Sequence, residues 1–141
     1  MSRIDRIGRL LRIAGLAETE AGRRLAESAA ALAAKQAEVA RLKHFLDEYR
    51  SPEPNRDGTI DAARWSNARA FAERLQAAIE AGESEAASLE ERHREDVDRW
   101  RIAHRRHTAL RELAGRHAAE ARRDDARREQ IEVDDRFARR G

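Results

Sequence analysis

The chain has 141 residues, 40% of them charged and only 4% aromatic, with no cysteine. The missing cysteine excludes disulfides, thiolate zinc sites and thiol chemistry, and no apolar run approaches the roughly 18 residues of a membrane span. Ala, Arg, Glu, Leu and Lys supply 86 residues, above the share that marks coiled coils, whereas Leu, Ile, Val and Phe total only 24. Because 29 bases against 27 acids leave a net charge of only +2, this composition predicts a thin core along an extended seam rather than a disordered chain.

The chain opens on a basic, faintly amphipathic stretch, MSRIDRIGRLLR. A transit peptide or a membrane-surface helix fits these twelve residues alone. The same apolar spacing continues unbroken beyond them, however, which favours the start of a coiled-coil helix. No signal peptide is recognisable, so a cytoplasmic soluble protein is expected. Alternating steps of three and four connect Ile4, Ile7, Leu11, Ala14, Glu18, Ala21, Leu25, Ser28, Leu32, Lys35, Val39, Leu42, Leu46 and Tyr49. Such spacing keeps one narrow stripe against a partner helix. Glu18, Ser28 and Lys35 interrupt it, predicting looser packing through the middle.

Two prolines and an Asp-Gly pair within Ser51–Gly58 end that helix. Thr59 is expected to cap a second helix, with Asp61 in its first turn against the helix dipole. There Ala68, Ala72, Leu75, Ile79, Gly82, Ala86 and Leu89 keep heptad spacing. His93, Val97 and Trp100 follow, read as a stutter that relaxes the supercoil. Ala103, His107, Leu110, Ala114, His117 and Ala121 continue the pattern weakly.

The expected fold is all-α: a single antiparallel two-helix coiled coil, or helical hairpin, over residues 1–141. Helix 1 runs from about 3 to 50, the loop from 51 to 58 and helix 2 from about 59 to 138. A short loop makes the helices antiparallel neighbours. The expected register sets Leu46 against Trp65, Leu32 against Ile79, Leu25 against Ala86 and Leu11 against Trp100. At 1.5 Å per residue the helices measure roughly 70 and 115 Å, so helix 2 is expected to overhang, unpaired from about residue 108.

Three constellations invite chemistry. His93, His104, His107 and His117 share helix 2, but Arg105 and Arg106 stand where a metalloprotease-type helix needs its Glu, and two guanidinium groups repel a divalent cation. No metal and no cofactor are expected. Two thin helices enclose no dry pocket in which pKa values are tuned, and there is no Gly-rich phosphate loop, so no catalytic residue is assigned and the protein is not expected to be an enzyme. Residues 99–128 hold ten arginines against four acids. That excess fits an Arg-rich helix binding nucleic acid or an anionic membrane. Yet the arginines are spread around the helix, only Trp100 can stack a base, and Glu129, Glu132, Asp134 and Asp135 follow, so a solvated or protein-docking surface is favoured. Third, Phe45 and Phe71 each lie one position before the seam. With Leu42, Tyr49 and Leu75 they form an apolar margin near the turn, which either broadens a narrow core or docks another protein.

Asp47-Glu48-Tyr49-Arg50-Ser51, the Gly58 loop, Arg64-Trp65-Ser66-Asn67, then Phe71, Leu75 and Ala78-Ile79-Glu80, with Glu129-Gln130 and Asp134-Asp135-Arg136-Phe137-Ala138 downstream, resemble the flagellar export protein FliJ family over nearly the whole chain. The YscO-like stalk proteins of injectisomes are the nearest competitor. The resemblance implies an antiparallel coiled coil similar to the stalk of the rotary ATPase gamma subunit. It further implies a noncatalytic stalk and activator whose terminal end enters the hexameric ring of the export ATPase FliI. By the same resemblance, its turn-proximal region meets the export-gate protein FlhA, export chaperones are engaged and recycled, and the protein sits peripherally at the cytoplasmic face of the inner membrane. The implied gate-contacting stripe is Glu38, Leu42, Phe45, Tyr49, Phe71, Leu75, Ala78 and Gly82, where Glu38 and Gly82 depart from the family pattern. For the ATPase ring the candidates are Arg116, Arg122, Arg123, Gln130, Asp134 and Phe137.

Overall fold

A computed structural model describes residues 2–50 and 61–140, with α1 over Arg3–Arg50, α2 over Ala62–Arg140 and no strand among the described residues. Ala, Arg, Glu and Leu lose little side-chain freedom in a helix, and neither span contains a proline to interrupt it. At the start of α1 the Ser2 hydroxyl accepts the Asp5 N–H at 3.1 Å, and Asp5 Oδ2 accepts the Ser2 N–H at 3.4 Å, a reciprocal capping box. At the start of α2, Asp61 caps: its Oδ1 accepts the Ala63 N–H at 3.1 Å and its carbonyl the Trp65 N–H at 2.9 Å. Asp61 therefore occupies the capping position itself rather than the first turn. The expected loop and the expected Thr59 cap lie outside the described residues.

The helices form an antiparallel coiled coil organised as two compact units, Arg23–Val97 and Met1–Gly22 with Asp98–Gly141. In the first, Val39, Leu46, Leu75 and Ile79 make the core, with Leu42 and Ala72 packed against it. Gly82 lies directly beneath Val39, since a Cβ placed there would stand 2.8 Å from Val39 Cγ2. The rings of Tyr49 and Phe71 meet at 4.6 Å. These contacts correct the expected register, in which Leu32 faced Ile79 and Leu46 faced Trp65. The pairing lies about eleven residues further along α2, and eleven residues are three nearly whole turns, so the same faces meet in either register. Spacing therefore defines the seam but not its alignment.

Polar seam positions in this unit are closed rather than loose. Ser28 is buried and donates its hydroxyl to the Leu25 carbonyl at 3.1 Å. Lys35 Nζ meets Glu85 at 2.7 Å and Glu38 at 3.0 Å, and the Glu85 hydrogen bond, followed by that to Glu38, raises its pKa. Lys43 pairs with Glu83 at 2.9 Å. The expected stutter is also corrected. Asp96, 7% exposed and engaged in a polar or ionic contact, is the inward residue, with Val97 half-buried beside it. Leu89, His93, Asp96 and Trp100 are spaced four, three and four, so the heptad runs on without a stutter.

In the other unit Ile7 and Ala14 are buried. Two glycines of α1 seat large rings of α2: the Gly22 Cβ position is 3.6 Å from Trp100 and that of Gly15 is 3.4 Å from His107. Trp100 thus packs on Gly22 and not on Leu11 as expected. Half-buried positions on α2 continue through His107, Leu110, Ala114, His117 and Ala121, and every residue from Arg122 to Arg140 is exposed. The overhang begins at Arg122 rather than near residue 108, because the register displaced by about eleven residues brings correspondingly more of α2 beside α1. No helix among the described residues is long and apolar enough to cross a membrane.

Candidate protein-docking surface

Where the last turn of α1 meets the early turns of α2, the seam runs out of partners and its aromatic residues come to the surface. Tyr49 and Phe71 contact each other with ring planes tilted by 51°, yet both remain exposed. Phe45 is exposed one turn earlier on α1, with its ring 6.3 Å from that of His44. Tyr49 lines two open grooves. One, of about 220 Å³, is lined by Tyr49, Arg50, Trp65, Ala68, Arg69 and Ala72. Glu48, Arg64, Asn67, Phe71 and Arg74 line the other together with Tyr49 and Ala68. Arg50 donates to Gln76 Oε1 at 3.3 Å, an exposed link between the helices.

The stripe Glu38, Leu42, Phe45, Tyr49, Phe71, Leu75, Ala78 and Gly82 is divided by this arrangement. Phe45, Tyr49, Phe71, Ala78 and Glu38 are exposed, with Glu38 held by Lys35. Leu42, Leu75 and Gly82 belong to the seam, Leu75 buried in the core and Gly82 covered by Val39. These three support the surface and present little of themselves to a visitor. Trp65 joins the exposed set at 49% exposure, where the expected register had placed it against Leu46. It keeps heptad phase with Ala68 and Ala72, but α1 ends at Arg50 before reaching it, so a seam residue by spacing becomes a surface residue by register.

In the other unit Arg116 lies in a shallow groove with Glu112, Gly115 and Ala119. Arg122, Arg123, Gln130, Asp134 and Phe137 all stand on the uncovered stretch of α2, where Gln130 Nε2 donates to Asp134 Oδ1 at 3.0 Å. Ile131 and Val133 are exposed beside them, two apolar residues that the sequence reading did not single out. The arginine excess is partly neutralised along the helix, Arg127 pairing with Asp124 at 2.9 Å and Arg128 with Asp125 at 4.0 Å.

Two of the histidines of α2 are engaged across the seam. Glu18 reaches across the seam to accept from His104 Nδ1 at 3.1 Å and from His107 Nδ1 at 2.5 Å. These bonds, that from His104 first, hold the Glu18 carboxyl below its ordinary range. The His104 ring also stacks on Trp100 at 4.8 Å with planes only 11° apart. Among the described residues no three His, Cys, Asp or Glu side chains converge as a metal site. What the two surfaces offer is apolar and aromatic area with a charged rim, the chemistry of protein recognition.

Comparison with curated proteins and with solved structures gave no match in either. Comparison with protein families matched residues 3–141 to one described as "Flagellar FliJ protein".

Proposed function

Because the chain belongs to the flagellar FliJ family, whose members are noncatalytic components of flagellar protein export, we propose that it serves as the stalk and activator of the flagellar type III export ATPase. In this reading its terminal end enters the hexameric ring of FliI, and the surface around Phe45, Tyr49 and Phe71 docks the export-gate protein FlhA. It couples ring to gate, assists recycling of export chaperones, and resides in the cytoplasm at the inner face of the membrane through these partners. The observation that carries the reading is the exposed Tyr49 and Phe71 ring pair, supported from below by buried Leu75. Aromatic side chains with one face fixed and the other free are the usual anchors of a protein interface.

The uncovered α2 stretch with Arg122, Arg123, Gln130, Asp134 and Phe137 gives the ring a helix to enclose. Its alternating charges suit contact with repeated subunits without a lock on any one of them. Replacing Phe45, Tyr49 and Phe71 together by Ala tests the reading. All three are exposed, so helical content by circular dichroism stays unchanged while gate binding and motility are lost. Retained motility in a strain carrying only that variant overturns the gate assignment.

A further inference from the structure

The first five turns of α1 are apolar on two sides. Ile7, Leu11 and Ala14 face α2, whereas Leu10, Ile13 and Leu16 point elsewhere, 51%, 57% and 66% exposed. At about 100° per residue these three and exposed Ala17 fall within roughly 120° of the helix circumference, so they form one continuous stripe rather than scattered surface residues. Arg6 and Arg9 lie inside the same arc, with Arg3 and Arg12 at its two margins. Among the described residues none of these four guanidinium groups has an ion-pair partner, while the acid nearest them in sequence, Asp5, is turned to the Ser2 N–H. Glu18 is likewise directed away, into the His104 and His107 pair.

We propose that this outer face of α1, from Arg3 to Ala17, binds an anionic phospholipid surface. A Leu and Ile face shared with Arg6 and Arg9 and edged by Arg3 and Arg12, whose long stems can bury while their heads reach phosphates, is the pattern of a helix lying in a membrane interface. Apolar insertion by a short stripe is weak alone, and so is charge attraction by four arginines; together they suffice. A second copy of the chain is a poorer occupant, because this face carries four arginines and offers no acid within its arc to complement them in a copy. The face goes beyond the export reading and does not depend on it. It lies on the terminal segment proposed to enter the ATPase ring, so lipid-bound and ring-bound forms exclude one another.

The test is co-sedimentation of the full chain with vesicles of phosphatidylcholine alone or with about one-third phosphatidylglycerol, in the absence of ATPase. The chain is expected to bind only the anionic vesicles. Arg6→Gln with Arg9→Gln weakens binding about thirtyfold, and Leu10→Ser, Ile13→Ser and Leu16→Ser together, at constant charge, weaken it about a hundredfold. Arg127→Gln with Arg128→Gln leaves it unchanged. Three results overturn the proposal: no binding to the anionic vesicles, full binding by the triple Ser variant, or a dimer in ultracentrifugation that the triple Ser variant dissolves. Full binding by that variant, with equal affinity for heparin, assigns the attraction to general polyanion binding instead. Circular dichroism monitors folding, which these exposed positions do not control.

Discussion

Gly82→Ala is the sharpest probe of the seam. In an open helix position Gly→Ala stabilises by about 1 kcal/mol, because alanine restricts the unfolded chain and favours the helix. Gly8, with nothing within 4 Å of its Cβ position, is such a site. At Gly82 the new methyl would stand 2.8 Å from Val39 Cγ2. Val39 is buried and β-branched, so its χ1 has one good well in a helix and cannot swing aside cheaply. Overpacking of this kind costs about 1–3 kcal/mol. The net effect of Gly82→Ala is then a loss of about 0–2 kcal/mol, and the contrast with Gly8→Ala is about 1–3 kcal/mol, read as a Tm difference of roughly 4–12 °C. Removing the obstacle reverses the sign: in a Val39→Ala background, Gly82→Ala is expected to stabilise by about 1 kcal/mol, a coupling measurable in a double-mutant cycle by thermal and urea melts. If Gly82→Ala stabilises the unaltered protein as much as Gly8→Ala does, or if Val39→Ala leaves its effect unchanged, the assigned register is wrong.

Asp61→Ala removes the side-chain cap of α2 and is expected to cost about 1 kcal/mol, with faster hydrogen exchange at Ala63 to Trp65; Asp61→Asn, which keeps an acceptor, recovers most of the loss. Glu18 has its pKa lowered by His104 and His107, so its stabilising contribution is present above the ordinary carboxylate range and disappears as pH falls through the lowered value. Glu18→Gln therefore flattens the acid limb of the stability profile measured by denaturant titration; an unaltered limb refutes the role of that contact. Truncation after Ala121 removes only exposed helix and is expected to leave the melting of the remaining chain within about 0.5 kcal/mol of the full protein. The same truncation is expected to abolish co-sedimentation with the export ATPase and the rise in ATP turnover.

Much of the architecture was legible because heptad phase is a local property. Of the seam expected from Ile4 to Tyr49, every position from Ile7 to Leu46 is at least half-buried, whereas the two end positions, Ile4 and Tyr49, are exposed. Register is not local. A displacement of eleven residues leaves the facing sides unchanged, so hydrophobic pattern cannot distinguish the two alignments. Glycines 15, 22 and 82 carried the missing information, each opposite a large side chain, and matching large to small at seam positions would have recovered it. Around residue 96 apolarity points to Val97 and heptad phase to Asp96. In a core only two helices thick, a polar tip can still find a partner while its stem lies inward, and phase prevails. For the candidate docking surface, Phe45 and Phe71 were legible from their offset beside the seam, and Tyr49 from its place in the apolar margin near the turn. Trp65 was not, since its exposure follows from where α1 stops.

The glycine beneath Val39 has a consequence for how a repetitive chain finds its alignment. Within this unit, sliding α2 by a single heptad would bring Val39 onto Leu75 or Leu89, sites already filled by branched side chains, and close contact would be lost on both neighbours. The notch at residue 82 thus acts as a detent: alanine-rich stretches on either side tolerate many lateral offsets, and one absent methyl group selects among them.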